Sequence, residues 1–180
     1  MKLILMGIQG SGKSTQGNLL SKKINLPYLS SGHILRNMSR EKTPLGRYIK
    51  ETINSGILVP DKKMTVIMED YLKRPEYENG WILDGYPRTV AQAKDFSHDV
   101  SHAIYITVSD KEALWRLAYR NDVIREDETL KAIRKRIELF HTFIEPVLEY
   151  YSSKKILLKV DGEQKIKNVY KYILKHLNVK

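Results

Sequence analysis

The sequence predicts an α/β protein with a parallel sheet that is covered by helices on both faces. Five short apolar segments alternate with segments of helical periodicity, which is the order typical of a parallel sheet. The apolar segments are continuous rather than alternating, as expected of strands that are buried on both sides. A glycine-rich loop follows the first segment and leads into a helix. The 180 residues are enough for one domain with a well-buried core.

Each predicted strand is a short apolar run between helical segments. The strands are predicted over residues 2–6, 27–29, 81–84, 103–108 and 156–160. The helices are predicted over residues 13–24, 32–40, 45–55, 61–73, 90–96, 111–119, 127–151 and 165–176. The longest helix is the best marked, because one apolar stripe recurs at three- and four-residue steps through Leu130, Ile133, Ile137, Phe140, Ile144 and Val147. Residues 31–60 contain no predicted strand, so we expect a helical insertion beside the sheet.

The composition is that of a basic protein without cysteine. Its net charge is +10, because 31 lysines and arginines outnumber 21 aspartates and glutamates. A basic protein attracts anions, but the lysines are scattered and form no basic tail, so we interpret them as a solvated surface. The lack of cysteine excludes disulfides, thiolate zinc sites and cysteine nucleophiles. No apolar run approaches the roughly 20 residues needed to cross a bilayer, and we expect a soluble, cytoplasmic protein.

The glycine-rich loop, GIQGSGKST, is the strongest local signal in the chain. Gly7, Gly12, Lys13 and Ser14 match the spacing of a phosphate-binding loop between a strand and a helix. Glycines let backbone N–H groups converge on one anion, and the helix adds its positive N-terminal end. Lys13 would reach the β- and γ-phosphates of a nucleotide, while Ser14 or Thr15 could offer a hydroxyl to Mg²⁺.

A second polar position follows the apolar strand at residues 81–84, in the segment WILDGYPRTVAQA. A packed core tolerates neither Asp84 nor Arg88 without a partner. Ligands of a parallel sheet lie beyond the carboxyl ends of its strands. If this strand neighbours the first, Asp84 faces a nucleotide and can hold the water shell of Mg²⁺. The turn at Gly85 and Pro87 would then direct Arg88 toward a second phosphate, which the planar guanidinium suits.

Taken together, these segments resemble the adenylate kinases of the nucleoside monophosphate kinase family. The resemblance covers nearly the whole chain and rests on motifs in the family's order: GIQGSGKSTQ, LSSGHILR, GILVPD, LDGYPRTVAQA, RLAYR, REDETLKAIRKR and KVDG. It implies a three-layer P-loop fold with a five-stranded parallel core, a helical insertion that binds the monophosphate, and a very short lid. The single kinase domain, residues 1–180, would consist of a core of 1–30, 61–119 and 126–180, an insertion of 31–60, and a lid of about 120–125.

The resemblance implies an AMP site on the side of the insertion. Arg36 and Arg88 would hold the AMP phosphate, and Ser31 would place a hydroxyl near the base. The backbone around Ile57 and Val59 would line the adenine pocket. The other AMP-binding residues that it implies are Gly32, Gly85 and Gln92, the last through a hydrogen bond to the adenine edge.

The resemblance also implies the ATP site and the catalytic groups. Arg116 would stack on the ATP adenine, and Asp161 and Gly162 would border the same base. The residues around the ATP phosphates would be Gly10, Ser11, Gly12, Lys13, Ser14, Thr15 and Arg120. The groups that act on the transferring phosphoryl group would be Lys13, Asp84, Arg88, Arg120, Arg125 and Arg136. Mg²⁺, with no zinc, would be held by Ser14 and, through waters, by Asp84.

Four features depart from the pattern of the family. His33 replaces an aspartate that supports the waters of Mg²⁺, so either Asp84 carries more of that task alone or a water takes the place of the aspartate. We interpret His33 itself as a surface histidine rather than a residue of the AMP site. Gln9 replaces a proline and should leave the loop less rigid, and Ser14 replaces a glycine. The lid has only the residues NDVI between its two arginines, which leaves no room for the small sheet of long-lid members.

We therefore expect reversible, Mg²⁺-dependent transfer of the ATP γ-phosphoryl group to AMP, giving two ADP. The resemblance implies a monomer without nucleic-acid or membrane partners. A UMP or CMP kinase is the closest alternative, since it shares the core and the short lid; TVAQA and the Ser31 hydroxyl favour AMP. A basic, nucleic-acid-associated P-loop ATPase is the alternative from another class, and it would need exposed aromatic residues among basic ones. The nearest case, VYKYILKHL, instead has an amphipathic packing face.

Overall fold

The computed structural model describes residues 1–119 and 129–179, which contain one parallel five-stranded sheet with helices on both faces. The strands are β1 (Lys2–Met6), β2 (Tyr28–Ser30), β3 (Trp81–Asp84), β4 (His102–Thr107) and β5 (Leu157–Asp161). Their order across the sheet is β2-β3-β1-β4-β5. The predicted fold class is confirmed, and the strand boundaries agree with the prediction to about one residue, within the usual uncertainty of element ends.

The described residues form eight α-helices and a short 3₁₀ turn at Pro75–Tyr77. The helices are α1 (Lys13–Ile24), α2 (Ser31–Ser39), α3 (Pro44–Asn54), α4 (Asp61–Leu72), α5 (Val90–Asp95), α6 (Asp110–Ala118), α7 (Leu130–Ser153) and α8 (Ile166–His176). The predicted helices are confirmed, except that the predicted start of the longest, residue 127, lies outside the described residues. Within residues 1–119 and 129–179, no helix is long and apolar enough to span a bilayer.

The central strand β1 is buried on both faces, which explains its continuous apolar sequence. Successive side chains of a strand point to opposite faces. Leu3 and Leu5 pack in the cluster that includes Leu20 of α1 and apolar residues of α8. Ile4 packs in the cluster on the other face, which includes residues of α2 to α5 and α7. Burial of each such side chain contributes about 1.5–3 kcal/mol to stability, so β1 anchors the loop that follows it.

The register of the sheet brings the two predicted polar positions together. β1 pairs with β3 in parallel, and Leu5 lies opposite Asp84. The glycine-rich loop and Asp84 therefore leave the sheet side by side at the carboxyl edge. The two strands are neighbours, which was the condition for the predicted role of Asp84.

The segment after α3 lies against the start of α7. Gly56 has φ +75°, and a Cβ there would lie 2.5 Å from the carbonyl oxygen of Ala132. Arg136 of α7 donates from Nη2 to the Ile53 carbonyl at 2.8 Å. Glycine is therefore needed where this segment approaches α7.

Candidate active site

A cleft of about 210 Å³ opens at the carboxyl ends of β1 and β3. Its walls come from the glycine-rich loop, from α2 and the segment after α3, and from α7. The predicted site residues that line it are Gly10, Gly12, Lys13, Ser14, Ser31, Gly32, Arg36, Ile57, Val59, Asp84, Gly85, Arg88, Gln92 and Arg136. These residues are up to 126 positions apart in the sequence, yet they share one concave space.

The glycine-rich loop takes the backbone conformation that the motif requires. Gly10 and Gly12 have φ angles of 89° and 91°, a region that side chains disfavour. A Cβ at Gly10 would also lie 2.6 Å from the carbonyl oxygen of Ala113. Gly12 is the N-cap of α1, so the positive end of that helix points toward the cleft. Ser11, within the loop, is buried, and its N–H donates to the Ile8 carbonyl at 3.1 Å.

Lys13 lies within this loop. Its ammonium donates to the carbonyls of Gly7 at 2.7 Å and Ile8 at 2.9 Å, and lies 3.5 Å from the Ser11 hydroxyl. The positive charge is therefore held beside the loop and the α1 N-terminus. An anion that enters the loop meets backbone N–H groups, a helix N-terminus and an ammonium together.

Asp84 is 7% exposed, and its two oxygens have different surroundings. Oδ2 accepts a hydrogen bond from the Tyr28 hydroxyl at 2.5 Å. Among the residues that the structure describes, no group hydrogen-bonds to Oδ1, which is buried. A buried carboxylate oxygen without a partner is costly unless a ligand satisfies it. Oxygen ligands suit Mg²⁺, so Asp84 fits the role of holding its water shell.

Tyr28 was not predicted as a site residue, and Gly17 explains how its ring fits. A Cβ at position 17 would overlap Cε2 of Tyr28 and lie 2.7 Å from Cδ2. The ring therefore lies directly over Gly17 on α1, and its hydroxyl reaches Asp84. A glycine inside a helix is a sequence signal of a close approach, but it does not say which residue approaches.

We predict that Gly17→Ala destabilises the protein, although alanine is the better helix former. The gain in helix propensity is about 0.5–1 kcal/mol, whereas overpacking against the ring costs about 1–3 kcal/mol. Urea unfolding of Gly17→Ala, Tyr28→Ala and the double variant measures the coupling between the two positions. The double variant should be less destabilised than the sum of the single changes. Simple additivity would show that the ring moves aside without cost.

Three guanidinium groups, those of Arg36, Arg88 and Arg136, share the cleft with the loop. Arg88 retains exposed surface, but the walls of the cleft displace water from its guanidinium, and this desolvation lowers its pKa. The like charges of Arg136 and Arg36 lower the pKa further, while Asp84 raises it. Arginine stays protonated at neutral pH despite such effects. The resulting repulsion is relieved when a dianion binds between these groups, so the cluster fits a phosphate.

The turn after β3 positions Arg88 against α2. Gly85, at φ +76°, offers its carbonyl to Nε of Arg88 and to the Ser31 hydroxyl, each at 2.8 Å. A Cβ at Gly32 would lie 3.3 Å from Nη1 of Arg36, so that glycine leaves room for the second guanidinium. The first turn of α2 and the β3 turn thus hold the two arginines on one wall.

Arg116 and Gly162 lie beside the loop but outside the cleft. Arg116 donates from Nε to Glu112 at 2.7 Å and from Nη2 to the Gly162 carbonyl at 2.9 Å. A Cβ at Gly12 would lie 3.9 Å from Nη1 of Arg116, so this guanidinium borders the loop. The Asp161 carboxylate accepts hydrogen bonds from within its own turn, from the Glu163 N–H and the Gln164 amide. Their predicted role around the ATP adenine stays a prediction, as does the role of Thr15, which is exposed on α1.

The departures from the family pattern have distinct surroundings. Gln9 accepts a hydrogen bond from Nη1 of Arg136 at 3.3 Å, a contact that the proline of the family could not make. His33 is exposed, and its Nε2 lies 3.1 Å from Nδ2 of Asn37. The predicted lid, with Arg120 and Arg125, lies outside the described residues. Among the described residues, no cluster of three or more His, Asp or Glu side chains could hold a metal ion.

Comparison with known proteins gives one consistent family. The family model for adenylate kinase matches residues 5–156. The adenylate kinase of Caldicellulosiruptor bescii is 32% identical over 214 aligned positions, covering 99% of this chain and 100% of that protein. The adenylate kinase of Trichodesmium erythraeum is 35% identical, with 94% and 93% covered. Adenylate kinase 1 of a Nostoc species is 34% identical, with 91% of each chain covered.

A phosphate-binding loop that faces a cluster of arginines across one cleft, on a parallel sheet, defines a nucleoside monophosphate kinase, a class of P-loop phosphotransferases. The family match spans most of the chain, and the relatives are matched over nearly their whole length. The chain belongs to the adenylate kinase family.

Proposed function

We propose that this protein transfers the γ-phosphoryl group of ATP to AMP, reversibly and with Mg²⁺, giving two ADP. The observation that carries the proposal is the pairing of two anion sites in one cleft. One is the loop with Lys13, and the other is the group of Arg36, Arg88 and Arg136. The names of the relatives support ATP and AMP as the substrates.

The donor nucleotide occupies the loop. Its phosphates accept hydrogen bonds from the backbone between Gly10 and Thr15, and Lys13 contacts the β- and γ-phosphates. The base lies toward Arg116, bordered by Asp161 and Gly162. The hydrogen bond from Arg116 to the Gly162 carbonyl supports this placement, because it holds the Arg116 side chain and the turn at Gly162 together beside the loop.

The acceptor nucleotide occupies the opposite wall. Arg36 and Arg88 hold the AMP phosphate, and the repulsion between their like charges favours an anion there. The base enters between α2 and the segment at Ile57 and Val59, with Gln92 at its edge. Ser31, Gly32 and Gly85 complete this wall.

The residues that fit Mg²⁺ are Ser14 and Asp84. Mg²⁺ would supply positive charge there that offsets the negative charge of the phosphates. Ser14 is exposed at the start of α1, and the buried Oδ1 of Asp84 needs a partner. Tyr28 holds the other Asp84 oxygen and so limits rotation of the carboxylate. The composition offers no thiolate for a zinc site.

The transfer needs position and positive charge rather than a covalent intermediate. An oxygen of the AMP phosphate forms a bond to the γ-phosphorus, while the bond from that phosphorus to the β–γ bridging oxygen breaks. Both products are ADP. Lys13, Arg88 and Arg136 stabilise the negative charge on the equatorial oxygens of the phosphoryl group while that group passes from ATP to AMP. Arg120 and Arg125, outside the described residues, are proposed to act beside them.

Water is excluded by closure of two segments over the core, the insertion of residues 31–60 and a short lid of about 120–125. The hydrogen bond from Arg136 to Ile53 joins the insertion to α7. We propose that one monomer carries out the reaction in the cytoplasm.

We predict that, among AMP, UMP, CMP and GMP offered with Mg-ATP, AMP gives the highest kcat/KM. Chromatographic separation of ADP and the other product nucleotides measures the rate with each acceptor. Omission of Mg²⁺ should abolish transfer. Higher turnover of UMP or CMP would identify the pyrimidine alternative. ATP hydrolysis that no monophosphate changes would contradict kinase activity and support the ATPase alternative.

A further inference from the structure

The side-chain amide of Gln92 is held at both ends. Gln92 is 2% exposed and lines the cleft. Its Nε2 donates to Oδ1 of Asp61 at 2.9 Å, and its Oε1 accepts from the backbone N–H of Arg88 at 2.8 Å. Asp61 is the first residue of α4 and lies 31 positions before Gln92 in the sequence.

The two partners allow only one orientation of this amide. A carboxylate only accepts hydrogen bonds, and a backbone N–H only donates. The amide must therefore direct Nε2 to Asp61 and Oε1 to Arg88. If the amide turned over, its oxygen would face the Asp61 carboxylate and its NH₂ group would face the Arg88 N–H. Both contacts would be repulsive, and two buried hydrogen bonds would be lost.

The amide keeps a donor and an acceptor for a ligand. A primary amide has two N–H groups and two lone pairs, and Asp61 and Arg88 use one of each. The remaining N–H can donate to a ring nitrogen, and the remaining lone pair can accept from an adjacent amino group. Adenine presents this pair at N1 and N6. A 6-oxo purine presents the reverse, an N–H beside a carbonyl, and so does uracil.

We propose that Asp61 determines the choice of acceptor base, because it fixes the Gln92 amide in the orientation that accepts an amino-substituted base and rejects an oxo-substituted one. This rests on the proposed function, in which Arg36 and Arg88 hold the monophosphate and so prevent the base from turning over. Asp61 does not itself line the cleft, so it is a positioning residue that acts through Gln92.

The test compares AMP with IMP as acceptors for Mg-ATP in the wild type and in Asp61→Asn. IMP differs from AMP only in the oxygen that replaces the 6-amino group and in the hydrogen on N1. Asparagine has nearly the shape of aspartate but offers either an acceptor or a donor, so one of the two restraints on the amide is removed. The ratio of kcat/KM for AMP to kcat/KM for IMP should fall about tenfold, as expected for one charge-assisted hydrogen bond. The KM for ATP should not change.

A matched control is Asp70→Asn, the same change at an exposed position on the same helix, where the carboxylate pairs with Lys73. It should leave the AMP-to-IMP ratio unchanged. Gln92→Met removes the amide while keeping an unbranched side chain, and it should bring the ratio near one. Equilibrium binding of AMP and IMP to each variant measures the preference apart from turnover.

The outcomes separate this inference from the proposed function. Suppose that the wild type phosphorylates AMP. If Asp61→Asn then keeps the wild-type ratio of kcat/KM for AMP to kcat/KM for IMP, or loses activity with both acceptors equally, the inference is overturned and the kinase activity stands. If the wild type prefers IMP or UMP to AMP, in turnover or in binding, both are overturned. A fall in the ratio for Asp61→Asn and not for Asp70→Asn supports the role of Asp61.

Discussion

Replacement of Lys13 by alanine should lower kcat for ADP formation by roughly a hundred- to a thousandfold. The ammonium lies within the phosphate-binding loop, beside the α1 N-terminus. Its charge becomes more important as negative charge develops on the transferring oxygens, so the loss falls mainly on kcat. The coupled assay of ADP formation, with both nucleotides saturating, measures the effect.

Stability measurements must accompany this variant, because Lys13 also donates to the carbonyls of Gly7 and Ile8. Their loss should cost about 1 kcal/mol in the free energy of unfolding, too little to unfold the domain. Lys23→Ala removes an exposed lysine from the same helix and should leave kcat unchanged. Wild-type turnover by Lys13→Ala would refute the assigned role.

Replacement of Arg88 by alanine should lower kcat/KM for AMP by about a thousandfold, while the KM for ATP stays within about threefold of the wild type. The Arg88 guanidinium lies among Arg36, Arg136 and Asp84, at the position proposed for the acceptor phosphate. Without it, the phosphate is neither neutralised nor oriented for in-line attack. Initial rates with AMP varied at saturating Mg-ATP give kcat/KM for AMP. Initial rates with Mg-ATP varied at saturating AMP give the KM for ATP.

The melting temperature distinguishes a loss of binding from a loss of folding. Arg88 is exposed and its side chain makes one hydrogen bond within the described residues, from Nε to the Gly85 carbonyl, so its removal should change the melting temperature little. AMP should stabilise the wild type but not the variant. Arg88→Lys should recover little activity, because an ammonium cannot make the two parallel bonds of a guanidinium. Arg74→Ala, which removes an exposed arginine that stacks on Tyr71, is the control.

Much of the donor side could be predicted because its signals are local. The phosphate-binding loop closes within a few residues, and its glycines are needed for backbone angles that the structure contains at Gly10 and Gly12. The strands and helices were predictable for the same reason, since apolar periodicity reports burial directly. In the structure, the side chains of Ser109 and Thr129 cap the starts of α6 and α7.

The arrangement of the cleft as a whole depended on contacts between distant segments. Tyr28 and Asp84 are 56 positions apart, and Arg136 and Gln9 are 127 apart. Sequence analysis assigned Gln92 to the base edge by resemblance, but it had no means to find Asp61, which lies on another helix. The roles of Arg120 and Arg125 stay predictions.

The class of fold and the presence of a phosphate-binding loop can be predicted from the order of the residues alone, because both follow from short-range patterns of apolar residues and glycine. Which charged groups lie together, and which way a buried amide points, is seen only in the folded chain. Burial, like-charge repulsion and the direction of hydrogen bonds depend on which surfaces meet when the sheet assembles. At Arg88 and Gln92, those surfaces come from segments that are remote in the chain.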